Sequence, residues 1–68
     1  MGKMHAEARA RLAAEAALIR RYKVDFERLL KKNDKIAAIA ALVDKHKTQY
    51  SELVKTFRDR FERTESAA

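Results

Sequence analysis

The chain contains no proline, and its only glycine is Gly2. Glycine and proline mark turns and interrupt regular elements, so a chain that lacks them past residue 2 has few of the signals of strands or long loops. The remainder is rich in Ala, Leu, Lys, Arg and Glu, which have high helix propensity. The sequence therefore predicts an all-α protein that is helical over most of its 68 residues.

Two apolar stripes with alternating steps of three and four residues predict two long helices, at about 5–32 and about 35–62. Residues 1–4 are expected to fray, and 63–68 to form a disordered tail. The first stripe consists of Ala8, Leu12, Glu15, Ile19, Tyr22, Phe26 and Leu29. The second consists of Ile36, Ile39, Val43, His46, Tyr50, Leu53 and Phe57.

The segment at about 32–34 is the predicted turn between these helices. Asn33 tolerates the left-handed conformation that ends many helices, and Asp34 is a favoured N-cap. The resulting fold is an antiparallel helical hairpin. Two alternatives remain open: one continuous helix through 32–34, or a break near His46 at which Thr48 caps the recognition helix of a helix-turn-helix.

A single domain of this size, 1–68, has difficulty burying enough apolar surface, and the chain has no cysteine to cross-link it. We therefore expect a homodimer that completes a four-helix bundle. Apolar residues beside the stripes are the predicted partner or oligomer interface: Leu18, Leu42, Val54 and Phe61. No apolar run is long enough to cross a membrane, which favours a cytoplasmic protein.

An internal repeat relates residues 12–31 to residues 36–55 at a shift of 24. Ala14 matches Ala38 and Leu18 matches Leu42, among other identities. Half of the identities are alanine, so shared helix composition accounts for part of the match. Either origin predicts two similar units, each with an alanine-rich first half and an aromatic-bearing second half.

The net charge of +6 favours acidic partners, and nucleic acid is the commonest of these. We expect phosphate contacts from a basic outer face on the first helix and the adjoining turn. The residues of this face are Arg20, Arg21, Arg28, Lys31, Lys32 and Lys35. The alternative is a solvated face on a non-enzymatic protein–protein interaction module, such as an inhibitor, adaptor or assembly factor.

Glu15, His46 and Tyr50 are polar residues at neighbouring stripe positions. A carboxylate, an imidazole and a phenol can perform acid–base chemistry, but no nucleophile or glycine-rich phosphate loop accompanies them. We interpret them as a buried polar layer that fixes the helix register, and we expect no enzyme activity. Neither His5 nor His46 has a second ligand four residues on, so we expect no metal and no cofactor.

One segment, residues 42–54, resembles part of small helical proteins of actinobacteria and their bacteriophages. Its pattern is Leu-Val, two residues, His, three residues, an aromatic residue, two residues and Leu, here Leu42-Val43, His46, Tyr50 and Leu53. Many of those proteins have proline directly after the histidine, where this chain has Lys47. The resemblance implies a phage or bacterial accessory protein, and some of these proteins resemble DNA-binding proteins.

Overall fold

The computed structural model describes residues 6–67, and these residues form helices without any strand. The all-α prediction is confirmed. The prediction of two uninterrupted helices is wrong, because residues 6–67 form four. Their bounds are α1 Ala6–Arg21, α2 Lys23–Lys32, α3 Lys35–Lys45 and α4 Lys47–Ala67.

The turn between α2 and α3 consists of Asn33 and Asp34. Asn33 does not take the expected left-handed conformation: it is extended, with φ −138° and ψ 158°, and its backbone and side-chain N–H groups both donate to the carbonyl oxygen of Leu29. Asp34 is the N-cap of α3, and its side chain accepts a hydrogen bond of 2.8 Å from the backbone N–H of Ala37. The turn therefore supplies a partner for one carbonyl oxygen at the end of α2 and for one N–H at the start of α3.

Past the turn the chain runs back along itself. Helix α1 packs mainly against α4, and α2 packs against α3. We call α1 with α2 the first arm and α3 with α4 the second arm. Each arm contains one bend, at Tyr22 and at His46, where a single residue leaves the helical conformation.

The contact face between the arms is narrower and poorer in large side chains than the stripes predict. On α1 the buried residues are spaced four apart: Ala6, Ala10, Ala14 and Leu18. On the rest of the chain they are Phe26, Ala38 and Leu42. Small residues at a spacing of four form a shallow ridge that lets helices approach closely.

Two predictions about the faces are therefore wrong. The stripe residues Leu12 and Ile36 are 55% and 81% exposed, whereas Leu18 and Leu42, predicted as an exposed interface, are 0% and 1% exposed. The reason is that the close approach through alanine turns the helices so that the flanking leucines point between the arms. Val54 and Phe61 of the same predicted interface are half-buried.

The two bends have nearly the same backbone conformation. Tyr22 has φ −115° and ψ 47°, and His46 has φ −116° and ψ 45°. The N–H of Tyr22 still donates to the carbonyl oxygen of Leu18 at 2.8 Å, and the N–H of His46 to that of Leu42 at 3.0 Å. Each arm thus changes direction while the backbone N–H of its bend residue keeps the hydrogen bond to the carbonyl oxygen four residues earlier.

The bend at His46 lies where the alternative sequence interpretation placed a helix-turn-helix. That motif needs a turn of three or four residues, and here one residue separates α3 from α4. Helix α4 also begins at Lys47, so Thr48 lies inside it and does not cap it. The structure therefore contradicts a helix-turn-helix at this point.

The bends are 24 residues apart, which is the shift of the internal repeat. The residue pairs Ala14/Ala38 and Leu18/Leu42 are all fully or almost fully buried. The arms therefore have equivalent packing around equivalent bends, although the identities that suggested the repeat do not include Tyr22 and His46.

At the chain ends, the expected tail at 63–68 is contradicted over residues 63–67, because α4 continues to Ala67. No glycine or proline interrupts it, and the half-buried Phe61 packs in a stack with Phe57, with 6.0 Å between ring centroids. The expected frayed segment 1–4, His5 and residue 68 lie outside the described residues. Across the described part of the chain, no helix has the length and apolarity needed to cross a membrane.

Candidate nucleic-acid interface

The six cationic residues predicted to contact phosphates lie around the turn end of the molecule. Two are in the last turn of α1, three are in α2, and one begins α3. All six are exposed: Arg20, Arg21, Arg28, Lys31, Lys32 and Lys35. We call this set the turn-end basic patch. Within α2, positions 28, 31 and 32 share one side of the helix, opposite the buried Phe26.

The acidic residues of the same region are mostly engaged elsewhere. Residues 20–35 contain seven Lys or Arg and three acids, Asp25, Glu27 and Asp34. Asp25 accepts a hydrogen bond of 3.3 Å from Lys45, and Asp34 caps α3. Among residues 6–67, none of the patch cations forms an ion pair. The patch therefore keeps most of its positive charge uncompensated.

The opposite end of the molecule shows the contrasting arrangement. Glu7 lies 2.9 Å from Arg11 on its own helix and 3.8 Å from Arg58 on α4. Arg9 lies over the ring of Phe61, with 4.4 Å from its guanidinium carbon to the ring centroid. Cations at this end are held by intramolecular partners, which leaves them less available to an external anion.

The predicted buried polar layer is wrong in both burial and composition. Glu15, His46 and Tyr50 are all half-buried, and no polar residue is fully buried in the described part of the chain. Tyr50 and Glu15 do influence each other: burial raises the pKa of the Tyr50 phenol, and the Glu15 carboxylate raises it further, against an opposing effect of Arg11. His46 belongs to a different cluster.

That cluster surrounds the two bends. The rings of Tyr22 and His46 stack with 3.7 Å between centroids and 8° between planes. The Tyr22 hydroxyl donates to Oε1 of Gln49 at 2.5 Å. Nε2 of His46 is buried without a hydrogen bond to any described residue, and the Asp25 carboxylate lies 3.9 Å from it. This arrangement joins the arms.

Two surface grooves meet at Lys47 and Tyr50. The larger, of about 590 Å³, is lined by the apolar side of α3 together with Glu15 and the start of α4. The smaller, of about 420 Å³, lies between α1 and α4 and contains four cations: Arg11, Lys47, Lys55 and Arg58. This basic groove could not be predicted from local sequence, because its cations come from two distant segments that appear mixed with acids when each helix is considered separately.

Among the residues that the structure describes, no group of three or more His, Cys, Asp or Glu side chains is arranged to hold a metal ion. Comparison with known proteins gives no family to which the chain can be assigned: no family model, no curated protein and no solved structure matches it.

Proposed function

We propose that this is a small, basic, non-enzymatic nucleic-acid-binding protein that contacts phosphates through its turn-end basic patch. The observation that carries the proposal is the difference between the two ends of the molecule. Four arginines towards the end opposite the turn have acidic or aromatic partners within the chain, whereas the patch cations are exposed and form no ion pair among the described residues; the four are Arg9, Arg11, Arg58 and Arg60. Cations without an intramolecular partner can neutralise phosphates directly. The release of counterions from the nucleic-acid backbone then favours binding.

In this proposal the contacts are made to the backbone and carry little base specificity. Arginine and lysine on the outer side of α2 can contact successive phosphates, and the one-residue link between α3 and α4 does not form a helix-turn-helix that would present a recognition helix. The proposal covers binding to both DNA and RNA. The proposed setting is the cytoplasm of a bacterium, as a bacterial or phage accessory protein, and the proposed working form is a homodimer whose arms complete a four-helix bundle.

The test compares two double charge reversals of equal net effect. Arg21→Glu with Arg28→Glu removes two patch cations, and Arg60→Glu with Arg63→Glu removes two exposed cations from the far part of α4. Because both variants change the net charge equally, any difference reports position rather than bulk charge. Binding to a fluorescent duplex and a fluorescent single strand is measured at several salt concentrations.

We expect the Arg21/Arg28 variant to bind about tenfold or more weakly to all sequences alike, and its salt slope to fall by about 2, or one for each lost phosphate contact. The Arg60/Arg63 variant should keep most of the affinity. Equal loss in both variants would show that only overall charge matters, and unchanged binding by the Arg21/Arg28 variant would refute the patch.

A second candidate is a protein–protein interaction module, for example a phage-type inhibitor, adaptor or assembly factor. The observation in its favour is the exposure of large apolar side chains that a monomer leaves in water: Leu12, Val24, Leu30 and Ile36. Recovery of one host protein from lysate that survives nuclease treatment would favour this candidate. Recovery that depends on nucleic acid would favour the first.

A further inference from the structure

The smaller surface groove concentrates positive charge at a place outside the turn-end basic patch. We call it the α1/α4 groove; it has a volume of about 420 Å³, and its four cations are Arg11, Lys47, Lys55 and Arg58. Its other lining residues are Tyr50, Ser51 and Val54, so no acid of the described part of the chain lines it. Like charges held along one groove repel one another, and a bound anion relieves that repulsion.

Two of the four cations have no ion-pair partner in the folded chain. Lys47 and Lys55 are both exposed, and neither forms an ion pair within residues 6–67. Arg11 and Arg58 share one carboxylate, that of Glu7, at 2.9 Å and 3.8 Å. The two lysines are therefore the cations most available to an external anion, and each arginine has further N–H donors that Glu7 does not use.

The cations are spread along the groove. Positions 47, 51 and 55 are one helical turn apart, so Lys47, Ser51 and Lys55 form a row along one side of α4. From Lys47 to Arg58 the helix rises about 16 Å, at 1.5 Å per residue. A strand of nucleic acid carries one phosphate per about 3.4 Å of stacked helix, so this length spans several consecutive phosphates. A single small anion would leave most of the row without a partner.

Tyr50 adds a hydrogen-bond donor and an aromatic surface to the groove. Its side chain is half-buried, and its hydroxyl makes no hydrogen bond to a described residue. Burial and the Glu15 carboxylate raise the pKa of the Tyr50 phenol, which therefore keeps its proton at neutral pH and can donate it to a phosphate oxygen. A basic groove with an aromatic side chain is the combination by which proteins bind single strands without sequence preference.

The surroundings of the groove favour a single strand over a duplex. The larger groove beside it is lined by two acids, Glu15 and Asp44, which repel a phosphate chain and confine it to the α1/α4 groove. A recess of about 420 Å³ between two helices admits one phosphodiester chain, whereas a duplex is too wide to enter and meets only the rim. The turn-end basic patch is on the outer side of the helices and has no such restriction.

We propose that the α1/α4 groove binds the phosphate backbone of single-stranded nucleic acid, as a site separate from the turn-end basic patch. Lys47 and Lys55 neutralise phosphates, and the hydroxyls of Tyr50 and Ser51 donate hydrogen bonds to them. The inference rests on the proposed nucleic-acid binding, but it does not depend on the patch. A single strand then contacts both basic surfaces of the protein, and a duplex contacts the patch alone.

The test measures binding of the full chain to a fluorescent oligothymidine and to a fluorescent duplex of equal length, at several salt concentrations. Lys47→Glu with Lys55→Glu reverses the two unpaired cations of the groove. Arg60→Glu with Arg63→Glu is again the control, because it changes the net charge by the same amount and neither residue lines the groove. Circular dichroism checks that both variants keep the helix content of the wild type.

Relative to the control, we expect the groove variant to bind the single strand about tenfold or more weakly, with a salt slope smaller by about 1.4, or about 0.7 for each lost contact. Its affinity for the duplex should equal that of the control. Equal affinity of the groove variant and the control for the single strand would refute the groove site. An equal loss for both nucleic acids would refute its selectivity, and a wild type that binds neither would refute the proposed function as well.

Lysine acetylation of the unaltered chain is a second measurement that needs no charge reversal. Bound oligothymidine should slow the modification of Lys47 and Lys55, whereas Lys23, which is exposed and belongs to neither basic surface, should react as in the free protein. The duplex should protect the lysines of the patch and leave Lys47 and Lys55 reactive. Protection of the patch lysines alone by the single strand would overturn this site and leave the proposed function intact.

Discussion

The two bends share a backbone conformation but have different side-chain partners. At the first, the Tyr22 hydroxyl donates to Gln49 on the opposite arm. The residue equivalent to Gln49 in the repeat is Asp25, whose Oδ2 lies 3.9 Å from Nε2 of His46 and accepts instead from Lys45. One side of the ring stack therefore has a hydrogen bond, and the other side has a carboxylate too distant to form one.

This difference shows that the shape of the bend does not depend on the polar partner of the ring. The features common to both bends are the ring stack itself and a fully buried leucine one turn earlier, Leu18 or Leu42. Packing between the arms therefore determines where each arm bends, and the hydrogen bond at Tyr22 adds stability to a geometry that His46 reaches without one.

The largest effect should come from the two leucines. Leu18→Ala and Leu42→Ala each remove a fully buried side chain, so each should lower the free energy of unfolding by about 2 to 5 kcal/mol. Because the positions are equivalent, the two losses should agree within about 1 kcal/mol, which is less than the smallest loss expected at either position. Urea unfolding at one fixed protein concentration measures both. A large loss at one position with almost none at the other would show that the bends are not equivalent.

A smaller effect is expected from the hydrogen bond that distinguishes the first bend. Tyr22→Phe keeps the ring stack but removes the bond to Gln49, and it should lower the free energy of unfolding by about 1 kcal/mol. Tyr50→Phe is the control, since the Tyr50 hydroxyl makes no hydrogen bond to a described residue and its loss should cost less. If the two substitutions had equal cost, the Tyr22–Gln49 bond would contribute no measurable stability.

The smallest effect tests whether the second bend can be made like the first. His46→Tyr combined with Asp25→Gln gives both bends a tyrosine opposite an amide, and it removes the unpaired Nε2 of His46. We expect a gain of about 0.5 to 1 kcal/mol in the free energy of unfolding, since the new hydrogen bond outweighs the exposed Lys45–Asp25 pair. A loss of stability would indicate that the imidazole has a packing role that a phenol ring cannot fill.

The helical content and the N-cap at Asp34 followed from local sequence, because helix propensity and capping depend on neighbouring residues. The orientation of α1 did not. A heptad search selects large apolar residues such as Leu12, but the arms meet through Ala6, Ala10 and Ala14. Alanine has high helix propensity on buried and exposed faces alike. Its positions therefore do not show which face of a helix packs against a neighbour.

The two bends could not be predicted from the local sequence either. Neither contains glycine or proline, and the stack that joins them pairs residues 24 positions apart. The 24-residue repeat was the one available signal, since it aligns Tyr22 with His46, but those residue types differ and the match was visible only through the alanines and leucines around them. For the candidate site, local sequence identified the exposed cations, but their lack of partners depends on how Asp25 and Asp34 are engaged.

Opposed bends also have a mechanical consequence. Two straight helices in contact through alanine could slide past each other by one turn and find a similar set of small residues. Here such a displacement would part the rings of Tyr22 and His46 and place a bent segment against a straight one. The paired bends therefore fix the lengthwise position of one arm against the other, a role that buried polar residues fill in many straight coiled coils.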